Sequence, residues 1–338
     1  MIGMPHLTMP RAAWARRRHQ PGWQGGVRGK RLWQGQGRFW QVRGHEDDRV
    51  KPAPFEWLGP ETVEAALALK AEHGEAARFL AGGQSLVPAM NFRVAQPGIL
   101  IDLNRVAGLD SLAWLADGSL RIGATVRYRV IERDAEVARR LPLLAEALAE
   151  VAHPQIRTRG TLGGNLSHAD PASEMPAVML ALGARMELRR AGGMRQVAAR
   201  DFFLGPLTTA LAEDEMLAAI VIPPLPPGSG TAFLEVARRR GDYAMMGVAA
   251  VLRRDGVGRC AEARLAFCSA GPTPMAAPLA AAGLVGTALT PADIAAAAEA
   301  AKAEIEPMGS VQASPAYQLH LAGVLAMRAL ALAAERAA

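Results

Sequence analysis

The chain is 338 residues long and half of them are apolar, enough to bury the cores of two or three domains. Its net charge of +6 is gathered at one end: residues 1–50 hold ten Lys/Arg against three Asp/Glu, a balance of +7, so residues 51–338 carry −1, which argues against a nucleic-acid-binding body. Cys260 and Cys268 are its only cysteines, which excludes a disulfide framework and an iron–sulfur cluster held by four cysteines of this chain.

Residues 1–49 carry clustered arginines, Gly/Gln runs and four of the six tryptophans, with neither helical nor alternating apolar periodicity. They read as a disordered or wrongly assigned basic extension, with Val50 as a candidate start. No apolar run follows Arg16-Arg17-Arg18, so a secretory or twin-arginine signal is not expected. Pro60 to Gly74 has the punctuation of a helix, with proline and acids first and glycine last. Strands are expected at 77–80 and 98–103, and a hairpin around Asp117-Gly118. Thr125 is expected to cap a helix reaching Asp134, and Pro142 to Val151 forms another. An apolar helix follows at 175–182, then a hairpin through Gly192-Gly193 and a strand at 217–222.

The stretch Pro223-Pro224-Leu225-Pro226-Pro227-Gly228-Ser229-Gly230 is a linker, so a domain boundary is expected there. Beyond it, strands are expected at 231–236, 247–253 and 259–269, and helices at 292–305 and 317–335. The apolar stretch Ala276–Leu289 is too short to span a membrane and contains Pro278, Gly283 and Gly286, so no span is expected.

Two segments carry the chemical signal. Ala81-Gly82-Gly83-Gln84-Ser85-Leu86 follows the first predicted strand, and Thr161-Leu162-Gly163-Gly164-Asn165-Leu166 lies between two predicted helices, with Ser167, Asp170 and Glu174 just beyond. Paired glycines and small polar residues let backbone N–H groups crowd an anion. Neither segment contains a lysine, which suggests a diphosphate held between two backbone cradles, read as two loops. The start of the helix after Asp170 would favour a phosphate nearby. Taken singly, each glycine pair is more often an ordinary turn than a cofactor contact; Asp170 also reads as a helix cap and Asn165 as a left-handed turn residue. No Gly-x-Gly-x-x-Gly joins a strand to a helix, so a nicotinamide-type site is not expected.

Together with Gln96–Leu103, Ile122–Thr125 and the flanking segment His153–Glu174, these loops resemble the FAD-binding medium subunit of the molybdenum hydroxylases, a family that includes carbon monoxide dehydrogenase and the flavin portion of xanthine dehydrogenase. The resemblance begins near Lys51. It implies an α+β chain with a two-lobed FAD-binding domain of the vanillyl-alcohol-oxidase (PCMH) type at 50–222, its lobes at about 50–105 and 106–222. A smaller α+β domain with an antiparallel sheet would follow at 231–338. By the same resemblance, Leu80, Ala81, Gly82, Gly83, Gln84, Ser85 and Leu86 wrap one side of the FAD diphosphate, and Thr161, Gly163, Gly164 and Asn165 run along the other. Ser167, Asp170 and Glu174 match positions near the ribityl, ribose or adenosine parts. His153 and Gln155 border the ring system, and Leu217 packs near the cofactor or simply in the core. Glu235 stands where many relatives place a lysine, so no cofactor role carries over to it. Arg238-Arg239-Arg240-Gly241-Asp242-Tyr243 falls where the second domain approaches the flavin.

The implied function is an oxidoreductase subunit that binds FAD, takes electrons from a [2Fe-2S] small subunit after substrate oxidation on a molybdopterin large subunit, and passes them to quinone, oxygen or NAD. A cytoplasmic dimer of heterotrimers, free or associated with the inner face of the membrane through the complex, goes with it, with no nucleic acid, no membrane span and no metal ligands in this chain. The alternative is a self-contained FAD-dependent oxidase or dehydrogenase of the same fold family.

Overall fold

The computed structural model describes residues 51–337; the basic extension read at residues 1–49 lies outside the described residues. Strand β1 (Glu56–Leu58), helix α1 (Val63–His73), β2 (Ala77–Leu80), α2 (Leu86–Asn91) and β3 (Ile99–Asp102) build a small parallel sheet of order β1-β3-β2. Helix α1 begins at Thr62, whose hydroxyl accepts from Ala65 N, and ends at Gly74. Its apolar side, Val63, Ala66 and Leu67, is buried with Ala77, Ile101 and Leu103.

A second sheet is antiparallel. Strands β4 (Leu112–Trp114) and β5 (Leu120–Gly123) turn through Asp117-Gly118, where Gly118 takes φ +82°, a value suited to glycine. Helices α3 (Tyr128–Arg133), α4 (Ala135–Arg140), α5 (Pro142–Glu150), α6 (Pro154–Arg157), α7 (Leu162–His168) and α8 (Glu174–Leu182) follow. Next come β6 (Arg185–Arg190), β7 (Gly193–Ala198), α9 (Ala199–Phe202), the short pair β8 (Phe203–Gly205) and β9 (Thr208–Thr209), and β10 (Met216–Ile222). The sheet order is β4-β5-β10-β6-β7, so β10 enters its middle. Every residue of β10 is buried: Met216 and Ala218 lie in the core of the parallel sheet, and Leu217, Ile220 and Ile222 in a larger core shared with α5, α7 and α8.

The third sheet has the order β11-β12-β13-β14, with β11 (Ser229–Ala237), β12 (Ala244–Arg254), β13 (Cys260–Cys268) and β14 (Met275–Ala276). Its strands alternate faces. Ala232, Met246, Val248, Ala250, Leu265 and Phe267 pack on α10 (Pro278–Leu284), α11 (Pro291–Ala301) and α12 (Pro315–Arg336). Phe233, Ala249, Val251, Ala266 and Cys268 face α5 and α8. Among the described residues α12 alone has the length and apolar character to cross a membrane; its buried side, including Leu321, Leu325, Ala329 and Ala333, packs in the core of this sheet. Both cysteines are buried thiols.

Two local expectations differ from the structure. Thr125 caps nothing: the helix starts at Tyr128, because residues 123–126 form a turn closed by Val126 N donating to Gly123 O (3.0 Å), its backbone tied by Ala124 N to Ala218 O (2.9 Å) and Thr125 N to Leu109 O (2.9 Å), and Arg127 bridges to Thr161. The segment read as a second glycine loop is helix α7, with both glycines inside its first turn.

Candidate functional site

The two glycine segments meet. Gly82 is buried against the chain just ahead of α7: a Cβ there would lie 2.5 Å from Arg159 O and 2.9 Å from Gly160 Cα. A Cβ on Gly164 would lie 2.7 Å from Thr161 Oγ1 and 3.6 Å from Ala81 Cβ. Only residues without side chains permit such a backbone approach. Gly83, at φ +72°, turns the first segment into α2, and Gln84 folds back, its Nε2 donating to Gly82 O at 3.2 Å. Leu80 and Leu86 flank this turn half-buried, while Ser85 is exposed.

Gly163 serves a different contact. Its Cβ would fall 2.6 Å from Cα and O of Ala124, so its missing side chain lets α7 rest on the end of β5. Three of the four N–H groups in the first turn of α7 are already bonded: Leu162 N to Val126 O (3.3 Å), Gly164 N to Thr161 Oγ1 (3.1 Å) and Asn165 N to Thr161 O (3.1 Å). The first turn of α7 is thus less open as an anion cradle than two free loops would be, and the cation comes from elsewhere. The Arg127 guanidinium donates to Arg159 O and to Asn104 Oδ1, and Asn104 Nδ2 donates to Ala81 O at 2.9 Å. Arg127 therefore fastens the backbone of both segments and leaves a positive charge where they touch. Burial and the like charge of Arg159 pull its pKa below the ordinary arginine value, with Asp102 opposing. Neither Arg127 nor Asn104 stands out in the sequence; an arginine between Val126 and Tyr128 reads as an ordinary surface residue of the helix expected from Thr125.

Beyond α7, Ala169 at φ +52° ends the helix and Asp170 Oδ1 accepts from Ala172 N at 2.9 Å. Asn165 and Ser173 bond reciprocally, Nδ2 to Oγ at 2.7 Å and Oγ to Oδ1 at 3.0 Å, so Asn165 is held toward the start of α8. Ser167 is exposed, and Glu174, the first residue of α8, is 5% exposed. Its carboxyl is pushed up to about 7, chiefly by burial, with Asp170 and Glu150 adding like charge. Leu217 is 3% exposed within the apolar core that includes Leu166 of α7, so protein atoms cover it.

His153 and Gln155 are exposed at the start of α6. The turn before them is pinned by buried Arg157, whose Nη1 donates to Val151 O and Ala152 O, both at 2.9 Å, and whose Nη2 donates to Glu132 Oε1 at 3.1 Å. The β11–β12 turn lands on this corner: a Cβ at Gly241, φ +86°, would sit 2.5 Å from His153 Nδ1. Tyr243 reaches Asp170, and burial together with the Asp170 and Glu174 charges raises its hydroxyl pKa. The arginine turn thus approaches the same region as the glycine segments.

Residues 53–225 match the family described as FAD binding domain in molybdopterin dehydrogenase, and residues 231–333 that described as CO dehydrogenase flavoprotein C-terminal domain. The chain belongs to this flavoprotein family. It is 39% identical over 288 residues to the alpha subunit of the 6-hydroxypseudooxynicotine dehydrogenase complex of Paenarthrobacter nicotinovorans, covering 85% of this chain and 97% of that one. It is 38% identical to the carbon monoxide dehydrogenase medium chain of Hydrogenophaga pseudoflava, over 85% and 99% of the two chains. The solved carbon monoxide dehydrogenase of Hydrogenophaga pseudoflava that lacks the Mo-pyranopterin moiety superposes with a TM-score of 0.83, covering 85% of this chain and 99% of that one at 39% identity. The flavoprotein is accordingly an oxidoreductase subunit whose cofactor is FAD. The residues fit that group: Gly82 and Gly164 keep backbone bare of side chains, and Arg127 supplies a cation suited to a diphosphate.

Proposed function

We propose that this flavoprotein is the electron-transfer subunit of a molybdenum hydroxylase, taking electrons from a [2Fe-2S] small subunit served by a molybdopterin large subunit and delivering them to a terminal acceptor, quinone, oxygen or NAD. The observation that carries the reading is the backbone contact between Gly82 and Arg159–Gly160, with Arg127 fastened across it. When bound, FAD supplies the exchange between single electrons and electron pairs. The protein's residues bind and orient it. Leu80 through Leu86 hold one side of the diphosphate, with Gly82 and Gly83 giving close backbone approach. Thr161, Gly163, Gly164 and Asn165 shape the other side, with Gly163 seating α7 and Thr161 fixing its first turn. Ser167, Asp170 and Glu174 lie toward the sugar parts, His153 borders the ring system, and Leu217 supports α7 from the core. We place the domain boundary at the linker 223–230, with the arginine turn of the second domain closing on His153.

Two cysteines in the chain cannot ligate a cluster, so the electrons come from another polypeptide, and a dimer of heterotrimers accommodates the three subunit types. Stopped-flow absorbance at the flavin band tests the reading. Alone, the FAD-loaded chain should show no bleaching with organic substrates, and bleaching should follow addition of the cluster and molybdenum subunits with their substrate. Rapid bleaching by the chain alone would instead establish the self-contained oxidase.

A further inference from the structure

Glu235 lies on the face of the third sheet that packs on α5 and α8. It pairs with Gly247 of β12, which pairs in turn with Cys268 of β13. A Cβ at Gly247 would lie 2.5 Å from Cys268 Sγ and 3.8 Å from Glu235 Cγ, so the glycine leaves room for this carboxyl side chain within the interface. There Glu235 Oε2 is buried without a hydrogen-bond partner. Helix α8, which packs on β12 and β13, begins at Glu174, whose charge Glu235 feels most strongly among its neighbours. Tyr128 of α3 is 3% exposed, its hydroxyl is also buried without a partner, and that hydroxyl feels the Glu174 charge.

Glu235 Oε2 and the Tyr128 hydroxyl are thus two buried polar atoms without a partner, each feeling the Glu174 charge, an expensive arrangement in an apolar interface. Burial pushes Glu174 up to about 7 and Glu235 up to about 8, each assisted by the charge of Glu150. The other groups facing the pair are Asp170 with its partner Tyr243, and the Cys268 thiol, itself pushed up by burial and by both glutamates. On the outer side, Glu235 lines a cavity of about 420 Å³ with Glu150, Ala237, Arg239 and Arg240, and Arg240 pairs with Glu150 at 3.8 Å. On the inner side, Glu174 is next in sequence to Ser173, the residue bonded to Asn165 of α7.

We propose that Glu235 and Glu174 carry protons between this solvent-facing cavity and the FAD cradle. The proposal rests on the FAD reading above. Two electrons delivered to a flavin from a partner's cluster are balanced by up to two protons. For each, the carboxyl O–H bond at Glu174 would break as its proton passes into the cradle toward the cofactor, which would take it up on reduction, and the Glu174 carboxylate would regain a proton from Glu235, itself refilled from water in the cavity. No electron is lost or gained by the protein side chains. Carboxyls that keep a proton near neutral pH suit this task.

The test uses the full chain. Infrared titration of the FAD-free protein from pH 6 to 9 should show protonated carboxyl groups persisting at pH 7 that Glu235→Gln and Glu174→Gln each remove in part. With FAD loaded and dithionite as reductant, the wild-type reduction rate should fall as pH rises through 8. Glu235→Gln should be at least about tenfold slower at pH 7 with that pH dependence flattened, and Glu235→Asp should restore part of the rate. Both carboxyls ionised at pH 7, or a variant with wild-type rate and pH profile, would overturn the proposal. A wild-type chain that takes up no FAD would overturn the FAD reading, and the relay with it, whatever the infrared titration shows; protonated carboxyls with unchanged rates would overturn the relay alone. Should Glu235→Gln fail to fold, the wild-type titration and Glu235→Asp still decide.

Discussion

Gly82→Ala adds one methyl group at the point where the site's two halves touch. The new carbon would begin 2.5 Å from Arg159 O and 2.9 Å from Gly160 Cα, where ordinary contact starts at 3.4 Å. Both obstacles are backbone, and Arg127 holds Arg159 O in place, so the segments must part rather than a side chain swing aside. Overpacking of this kind costs about 1–3 kcal/mol. At roughly 1.5 °C per kcal/mol for a chain of this length, from about 2.1 cal/mol/K of unfolding entropy per residue, the melting temperature should drop by about 1.5–4 °C. The parted segments would also misplace the diphosphate cradle, and FAD should bind at least ~10-fold more weakly, a loss of about 1.4 kcal/mol. Gly283→Ala makes the same chemical change in α10, where nothing lies within 4 Å of the added carbon. It should leave FAD affinity unchanged and raise stability by up to about 1 kcal/mol through helix propensity. Differential scanning fluorimetry and FAD titration by flavin fluorescence measure both variants. A Gly82→Ala protein with wild-type melting temperature and wild-type FAD affinity would refute the reasoning.

Three further outcomes are expected. Gly241→Ala places a side chain at φ +86° and 2.5 Å from His153 Nδ1, so it should cost about 1–3 kcal/mol and lower the melting temperature; an unchanged melting curve would show that the arginine turn does not rest on His153. Because Glu174 and Glu235 titrate above their unfolded values, the folded chain binds more protons than the unfolded one between about pH 4.5 and 8, so stability falls as pH rises through this window, on the order of 3 kcal/mol from Glu174 alone. Glu235→Gln should reduce that fall, read as a smaller drop in urea-unfolding free energy from pH 6 to 9, and parallel curves would contradict the burial argument. Deleting residues 1–49 should leave melting temperature and FAD content unchanged, since the family matches start at residue 53; a large loss of either would show that the segment packs on the body.

Much of this architecture is legible in the sequence, for local reasons. Asp117-Gly118 announces its hairpin, and the expected third-sheet strands match β11–β13 to within a few residues, flanked by turn residues. The pairing of the two glycine segments as one site was also readable, because small residues at both places imply close backbone approach. Helix α7 was not. Two successive glycines weaken a helix by about 1 kcal/mol each, and the seat of Gly163 on Ala124, the Thr161 cap and the burial of Leu162 and Leu166 offset that cost. Arg127 escaped for a different reason, since its partners at Asn104 and Arg159 are distant in sequence. Helix α10 lies within a stretch read only as apolar. Glu235 was visible as a departure from relatives, but its buried carboxyl depends on Gly247 across the sheet, a register no single segment encodes.

Amide hydrogen exchange of the full chain with and without FAD tests the central claim most directly. One FAD per chain should slow exchange together at residues 80–86 and 161–174, the two segments joined through Arg127 and Asn104, while the surface of α11 stays unchanged. Stoichiometric FAD binding that protects neither segment, or only one of them, would contradict the account.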